Sequence, residues 1–212
     1  AFYVLQGGEI SAVVRKHELP NTQVFDELRH FDQGPISGPY SINGVRIGTP
    51  ICEDAWHEDV AEALEESGAQ ILVVPNGSPY YRQKFERRLN AMVSRVIETG
   101  LPLVYLNMVG GQDDQVFDGG SFVLNPGGVL AMQMQIFDED IEHVDFEQGP
   151  DGWHALRGVL KTFPDEWEQD YRVMVEALRD YLRKCGFKKV LLGLSGGVDS
   201  AIVATIAVDA LG

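Results

Sequence analysis

Two places in this sequence have residue types and spacing that could do chemistry: a cysteine where an apolar run meets a polar turn, and a glycine-rich loop near residue 195. Cys52 lies in residues 49–56, Thr-Pro-Ile-Cys-Glu-Asp-Ala-Trp. A thiolate there can be stabilised by a nearby helix N-terminus and by any cation, which indicates a nucleophile. An isolated cysteine more often fills a hydrophobic core, so that alternative stays open.

The glycine-rich loop stands between an apolar run at 189–194, which predicts a strand, and a helical pattern at 199–211. Its six residues are Ser195, Gly196, Gly197, Val198, Asp199 and Ser200. Backbone amides and the positive end of a helix gather an anion at such a junction, and glycines let the backbone approach a phosphate. We therefore expect pyrophosphate here, with Asp199 helping to hold Mg²⁺. Because no Lys follows the glycines, this is not a Walker A loop, and the alternative is a strand-to-helix turn with a serine cap.

Alternating strand and helix patterns would position these two places. Residues 45–52, 71–75 and 103–107 are short apolar runs typical of buried strands, and residues 56–67 and 81–99 between them have helical spacing. This order predicts an α/β fold, a sheet with crossover helices. Further predictions are hairpins at 2–14 and 121–134, a long loop at 15–40, and a helix from Pro164-Asp165 through Lys184. Periodicity is lost at 146–164, which predicts a domain of 1–145, a linker of 146–164 and the start of a second domain at 165–212.

Composition narrows the classes of partner. The formal net charge is −15, and a field of that sign repels phosphate backbones and anionic lipid heads, so we expect neither nucleic acid nor membrane as a partner. No apolar run approaches the roughly 18 residues that span a bilayer. Only two cysteines occur and no signal peptide follows Ala1, so we expect reduced thiols and a cytoplasmic location.

Two sets of motifs resemble known families. The loop Ser-Gly-Gly-Val-Asp-Ser resembles the pyrophosphate loop of the N-type ATP pyrophosphatases. The segments Lys-x-x-Leu-Pro-Asn-x-x-Val-Phe-Asp-Glu-x-Arg-x-Phe from Lys16, Ile-Cys-Glu-Asp-x-Trp from Ile51, Asn-Gly-Ser-Pro from Asn76 and Phe-Asp-Gly-Gly-Ser-Phe from Phe117 resemble the nitrilase-type glutaminase domain of the glutamine-dependent NAD⁺ synthetase family. That family also has a pyrophosphate loop after this domain. The resemblance covers nearly the whole chain, and it implies a nitrilase-like αββα sandwich followed by the start of a Rossmann-like ATP pyrophosphatase domain.

The resemblance implies roles for single residues. Cys52 would attack the carboxamide carbon of glutamine, Lys16 would stabilise the oxyanion, and Glu27 would orient Lys16. The residues that would line the glutamine pocket are Glu53, Trp56 and Ser78. ATP, Mg²⁺, glutamine and nicotinic acid adenine dinucleotide would be the ligands of the intact enzyme, which would be a homo-oligomer. Thr22 stands where the family usually has Tyr, so a pocket aromatic residue is absent there or supplied elsewhere.

The resemblance also places the triad's general-base glutamate on a strand before residue 1, and most of the second domain after residue 212. We therefore expect a poor glutaminase from this chain by itself, because a thiol without its base is a weak nucleophile at neutral pH. One alternative is a nitrilase-type amidase fused to an ATP pyrophosphatase that acts on another acid. The other is a binding or assembly module whose sites have decayed.

Three further features favour structural roles. The acids from Glu53 to Asp59 straddle a helix start, where negative charge is favourable without a metal. The basic side chains at 82–95 predict a solvated or subunit-facing stripe, with substrate attraction as the alternative; they are Arg82, Lys84, Arg87, Arg88 and Arg95. Cys185 at a helix end is expected to pack in the interior.

Overall fold

The computed structural model describes residues 1–22 and 24–212. Its strands are β1 (Phe2–Gln6), β2 (Glu9–Val14), β3 (Tyr40–Ile42), β4 (Val45–Gly48), β5 (Ile71–Asn76), β6 (Leu103–Asn107), β7 (Val109–Gln112), β8 (Gln115–Asp118), β9 (Phe122–Asn125), β10 (Val129–Gln133), β11 (Phe146–Gly149) and β12 (Gly152–Ala155). Its helices are α1 (Glu58–Glu66), α2 (Lys84–Thr99), α3 (Glu166–Cys185) and α4 (Val198–Leu211). Among the helices of these described residues, none combines the length and apolar character needed to cross a bilayer.

Six strands form the central sheet, in the order β10-β9-β6-β5-β4-β3. The pairs β4–β5 and β5–β6 are parallel, because α1 and α2 connect them as crossovers, and the other three pairs are antiparallel. The remaining strands pair as the hairpins β1–β2, β7–β8 and β11–β12. The expected α/β class, the crossover arrangement and the hairpin at the end of the sheet are confirmed.

The main core lies between the sheet and the two crossover helices. On β6, Leu103 and Tyr105 face α2 and are fully buried, while Val104 between them faces the other side of the sheet. Apolar positions of α1 and α2 at helical spacing, such as Leu64 and Met92, complete this core. Gly100 ends α2 in the left-handed conformation, as its position after the last apolar residue predicts.

The opposite side of the sheet is covered in part by the segment predicted as a linker. Residues 146–155 form the hairpin β11–β12, and Ala155 is buried in a small cluster with Val123 and Met132 of the sheet. Asn125 joins this hairpin to β9, since its side chain both donates to and accepts from the backbone of Ala155, at 2.9 and 2.7 Å. The domain boundaries at 145 and 165 stay a prediction.

Helix α3 packs on the hairpin β7–β8 through one buried carboxylate. Asp180, 3% exposed, accepts a hydrogen bond from the backbone N–H of Gly111 at 2.8 Å, and Lys184 donates to the Gly111 carbonyl. A Cβ on Gly110 would lie 2.7 Å from an Asp180 oxygen, and one on Gly111 would lie 3.2 Å from the Asp180 Cβ. The helix therefore approaches the strand backbone at a distance that only glycine allows.

Two expectations for the last fifty residues are wrong. Residues 189–194 form no strand, because within the described residues no neighbouring strand lies beside them to complete a ladder, and Leu191 is fully exposed. Cys185 is exposed at the end of α3 rather than packed inside. The helix starts are confirmed: Asp165 caps α3 by accepting from the Glu168 N–H at 3.0 Å.

Candidate active site

Cys52 begins a short 3-10 helix that follows the carboxyl end of β4. The apolar run at 45–52 was expected to be one strand, but β4 ends at Gly48 and a 3-10 helix runs over Cys52–Trp56. Pro50 has no N–H to donate to a strand ladder, so the chain leaves the sheet there. The backbone of Cys52 has a φ of 52°, a left-handed conformation that costs a residue with a Cβ about 1–2 kcal/mol. Such strain is typical of functional turns, where the surroundings impose it.

Lys16 and Glu27 form a close ion pair in the loop between β2 and β3. The Lys16 ammonium lies 2.6 Å from both carboxylate oxygens of Glu27, and the two side chains are only 14% and 24% exposed. The backbone of this loop is tied to itself nearby, because the Gly34 N–H donates to the Lys16 carbonyl at 2.9 Å. The pairing expected for Glu27 is therefore present, and it fixes where the Lys16 ammonium stands.

The surroundings of the Cys52 sulfur combine low polarity with one cation and one N–H donor. Burial raises the pKa of the Cys52 thiol, and the Lys16 charge and the backbone N–H of Gly77 oppose that rise. The negative charges of Glu53 and Glu27 raise the same pKa further. The net direction is upward, so at neutral pH the resting group is the thiol and a base must take its proton before it attacks.

We expect the alkylation rate of Cys52 by iodoacetamide to increase with pH, with a midpoint above the ordinary cysteine value of about 8.5. The reason is the sign of the shift, because a raised pKa leaves less thiolate at any pH below it. The measurement is mass-spectrometric alkylation between pH 6 and 10 in a Cys185→Ser background, which removes the exposed second thiol. A midpoint below 7 would contradict this account of the site.

A cavity of about 620 Å³ opens beside the ion pair. Its lining includes Lys16, Glu27, Leu19 and Phe31. This volume falls in the range of small-molecule sites, and the lining combines apolar walls with two cationic side chains, Arg15 and Lys16, and two carboxylates, Glu27 and Asp32, so the cavity suits a polar ligand. Thr22, at the expected tyrosine position, is exposed.

The predicted pocket residues Glu53 and Trp56 follow Cys52 in the same 3-10 helix, and both are half-buried. Trp56 has the Lys84 ammonium over its ring, 4.5 Å from the centroid, so its position is tied to the start of α2. The Glu53 carboxylate lies 3.6 Å from the His57 ring nitrogen. Each of the two side chains thus sits within one turn of the nucleophile.

Ser78 is held from three directions by groups that the sequence reasoning missed. Its backbone N–H donates to the Asn107 side chain at 2.9 Å, and Arg88 donates to its hydroxyl at 3.1 Å and to its carbonyl at 2.6 Å. Arg88 is 0% exposed and forms a bidentate pair with Asp118, at 2.7 and 2.9 Å. Because Gly77 precedes Ser78, this network also fixes the N–H that faces the Cys52 sulfur.

The prediction that the basic side chains at 82–95 form a solvated stripe is therefore wrong for Arg88 and Arg95. Arg88 is fully buried and Arg95 is 7% exposed, whereas a solvated stripe would leave both in water. Helical spacing cannot reveal the burial of Arg88, because its acidic partner, Asp118, lies 30 residues further along the chain. The one usable signal was Asp118, in the Phe-Asp-Gly-Gly-Ser-Phe run that carries the resemblance.

We expect Asp118→Asn to lower the free energy of unfolding by about 3 kcal/mol, because it leaves the buried Arg88 guanidinium without its counter-charge. Urea denaturation followed by circular dichroism measures this change. The matched control is Asp170→Asn, which breaks an ion pair with Arg82 that is half-exposed, and it should cost less than about 1 kcal/mol. Equal losses of unfolding free energy in the two variants would contradict the view that burial makes the Arg88–Asp118 pair more costly to break.

The predicted pyrophosphate loop lies at the start of α4, with its residues exposed or half-buried. The Ser195 and Ser200 hydroxyls are 3.0 Å apart, and Ser200 donates to the Gly197 carbonyl at 2.9 Å. Gly196 has a φ of 87°, and Gly197 at the N-cap position offers no side chain to the first amides of α4. Those amides are thus open to a ligand, as an anion site at a helix start requires.

No cluster of three or more His, Cys, Asp or Glu side chains that could hold a metal ion occurs in residues 1–22 and 24–212. Asp199, exposed in the first turn of α4, is a single carboxylate beside the loop. It fits a Mg²⁺ ion whose other ligands come from phosphate and water, which is how proteins commonly bind this ion.

Two family models match the chain in the order that the motifs predict. The carbon-nitrogen hydrolase model matches residues 1–148, and the NAD synthase model matches residues 170–212. Among named relatives, the glutamine-dependent NAD(+) synthetase of Rhodobacter capsulatus is 58% identical over 212 residues, covering 100% of this chain and 38% of that protein. The enzyme of the same name from Aquifex aeolicus is 38% identical, covering 100% of this chain and 43% of that protein. The chain thus spans about two fifths of these relatives.

Solved structures of similar proteins superpose on this chain. The glutamine-dependent NAD⁺ synthetase of Acinetobacter baumannii, determined with adenosine diphosphate, superposes with a TM-score of 0.91 at 37% identity, covering 99% of this chain and 40% of that one. A carbon-nitrogen hydrolase of Helicobacter pylori superposes with a TM-score of 0.53 at 26% identity, covering 60% of this chain and 49% of that one. The expected nitrilase-like fold is confirmed. The NAD synthase model, which matches residues 170–212, agrees with the start of an ATP pyrophosphatase domain. The chain belongs to the carbon-nitrogen hydrolase family.

Proposed function

We propose that this chain is part of a glutamine-dependent NAD⁺ synthetase, a ligase that takes ammonia from glutamine and uses ATP to amidate nicotinic acid adenine dinucleotide. The observation that carries the proposal is the presence, in one chain, of a nitrilase-type Cys52 turn beside the Lys16–Glu27 pair and of an open phosphate loop at the start of α4. The order of the two family matches supports it.

In the glutaminase half-reaction, the Cys52 sulfur attacks the carboxamide carbon of glutamine after a general base has taken the thiol proton. The resemblance assigns that base to a glutamate on a strand preceding this segment. The carbonyl oxygen becomes an oxyanion, which the Lys16 ammonium would stabilise. Collapse of this intermediate, with the base returning its proton to the amide nitrogen, forms a γ-glutamyl thioester and releases ammonia, and water then hydrolyses the thioester to glutamate and the free thiol. Glu27 would hold the ammonium of Lys16 in place.

Recognition of glutamine would come from the side chains around this turn. Glu53 would receive the substrate's ammonium, and Trp56 would form an apolar wall. Ser78 would contribute by holding the neighbouring Gly77 N–H beside the Cys52 sulfur, because its own hydroxyl, N–H and carbonyl are already bonded to Arg88 and Asn107. The cavity beside Lys16 gives the substrate a route to the pair.

In the synthetase half-reaction, ATP adenylates the carboxylate of nicotinic acid adenine dinucleotide with release of pyrophosphate, and ammonia then displaces AMP. The residues that would hold the phosphates are Ser195, Gly196, Gly197, Val198, Asp199 and Ser200. Their backbone amides and hydroxyls would bind the departing pyrophosphate, and Asp199 would contribute one oxygen to a Mg²⁺ ion that neutralises it. We also propose the domain division at 145 and 165, a homo-oligomeric state and a cytoplasmic location.

The test is NAD⁺ formation by the full-length protein, with glutamine or with ammonium chloride as nitrogen donor. We expect product from both donors, and each to require ATP and nicotinic acid adenine dinucleotide. Ammonia release from glutamine without any NAD⁺ would contradict the synthetase assignment. NAD⁺ formation from ammonium alone would contradict the glutaminase assignment.

A further inference from the structure

Asp54 is a buried carboxylate that joins two separate segments of the proposed glutaminase site. It is 1% exposed, and one of its oxygens accepts the backbone N–H of His17 at 3.0 Å and of Glu18 at 2.6 Å. Its other oxygen accepts the N–H of Ile51 at 2.9 Å. A carboxylate has two oxygens with about four acceptor positions, so three N–H donors suit its ionised form.

The three donors belong to the residues next to the reacting groups. His17 and Glu18 directly follow Lys16, and Ile51 directly precedes Cys52. The two segments are more than thirty residues apart in sequence, and Lys16 lies in a loop rather than on a strand. The Asp54 carboxylate thus bridges the backbone that carries the ammonium and the backbone that carries the sulfur.

The same carboxylate supports the strained conformation of the nucleophile. The Asp54 N–H donates to the Ile51 carbonyl at 3.1 Å while its side chain accepts the Ile51 N–H, so both polar groups of Ile51 are fixed. Cys52, which follows, has a positive φ that persists only when neighbouring contacts impose it. Burial raises the pKa of the Asp54 carboxyl, and the three N–H donors and the Lys16 charge oppose that rise.

We propose that Asp54 is a positioning residue of the glutaminase reaction: its buried carboxylate sets where the Lys16 ammonium stands relative to the Cys52 sulfur. The inference rests on the proposed function and deepens it. Asp54 does not touch the substrate; it acts through Lys16 and, to a smaller extent, through the Cys52 turn. The substitution Asp54→Asn keeps the shape but replaces one accepting oxygen with an NH₂ group, which faces an N–H donor and loses a hydrogen bond.

The test is a double-mutant cycle in the full-length protein, with Asp54→Asn and Lys16→Met separately and together. We expect Asp54→Asn to lower the glutamine-driven kcat by about 100-fold, the cost of misplacing a reacting group by about 1 Å. The ammonia-driven rate should stay within twofold. In the Lys16→Met background, Asp54→Asn should lower kcat by less than about tenfold, because the ammonium that it positions is already gone and only its support of the Cys52 turn remains. The control is Asp59→Asn, an exposed acid in the same stretch, which should change neither rate.

Effects that multiply in the cycle, or an Asp54→Asn protein with at least half of the wild-type glutamine-driven kcat, would overturn the proposal. The same double-mutant cycle is repeated in a Cys185→Ser background with a second readout, the rate of Cys52 alkylation by iodoacetamide. If the wild-type protein makes no NAD⁺ from glutamine, the proposed function fails, and the alkylation cycle decides the role of Asp54 by itself.

A measurement on the wild-type protein covers the case in which Asp54→Asn does not fold. In hydrogen–deuterium exchange, the amides of His17, Glu18 and Ile51 should exchange at least about 100-fold more slowly than the amide of exposed Gly38 in the same loop, since each is held by the buried carboxylate. Exchange of the three at the rate of Gly38 would overturn the proposal.

Discussion

Cys52→Ala is expected to lower glutamine-driven NAD⁺ formation by about 10⁴-fold while ammonia-driven formation stays within twofold of the wild-type rate. The substitution removes the sulfur that would form the thioester, so no covalent route to ammonia remains. The second half-reaction would use the loop at the start of α4, whose hydrogen bonds are local and do not involve the Cys52 turn. The measurement is steady-state NAD⁺ production by the full-length protein with each nitrogen donor.

Cys52→Ser is the matched control for this variant. Its hydroxyl fills nearly the same space and can keep the contact with the Gly77 N–H, but it is far harder to ionise than a thiol. We expect it to be as inactive with glutamine as Cys52→Ala and as active with ammonium as the wild type. Loss of both reactions in both variants would contradict a separate glutaminase nucleophile. Retention of the glutamine-driven rate would contradict any role for this sulfur.

Lys16→Met is expected to lower the glutamine-driven kcat by about 10²–10³-fold, the usual cost of removing one oxyanion donor. Two effects act in the same direction. The oxyanion loses its ammonium, and the Glu27 carboxylate, 2.6 Å from that ammonium in the wild-type protein, is left unpaired near the sulfur. Its charge then raises the pKa of the Cys52 thiol further, so the midpoint of Cys52 alkylation should move to higher pH.

The controls for Lys16→Met separate charge from packing. Lys16→Arg keeps the positive charge and should retain more activity than Lys16→Met, although its planar fork cannot reproduce the position of the ammonium. Lys161→Met removes an exposed lysine elsewhere and should leave both nitrogen donors equally effective. An unchanged alkylation midpoint in Lys16→Met would show that the Lys16 charge does not affect the pKa of the Cys52 thiol, and it would contradict the proposed site.

Local patterns predicted most elements correctly where burial and periodicity agree. The strands β5 and β6 are flanked by turn residues and lie in the middle of the central sheet, so their apolar runs end where the strands end, within one residue. The predicted strand at 189–194 has an equally apolar run, yet it stays irregular because a strand needs a partner beside it. An apolar run therefore predicts a strand only together with its neighbour.

For the candidate site, motif resemblance identified the residues that carry the chemistry but not those that hold them. Lys16 and Glu27 come from one stretch and Cys52 from another, and the spacing within both could be compared with a known family. Asp54 was interpreted as one of several acids at a helix start and Arg88 as part of a basic stripe, because burial and distant hydrogen bonds have no local sequence pattern. Contacts between segments far apart in the chain are what the structure adds.

The contact between Asp180 and the glycines of β7 has a consequence for modular exchange. Strand β7 follows β6, whose last residue, Asn107, holds Ser78, while α3 leads toward the phosphate loop. A recombinant chimaera joined at 146–164 would keep Gly110 from one parent and Asp180 from the other. If the parent that supplies β7 has a larger residue at position 110 or 111, that side chain would push α3 away from the strand. The Asp180 carboxylate, which is now buried, would then be exposed to water. The strand and the helix must therefore be inherited together.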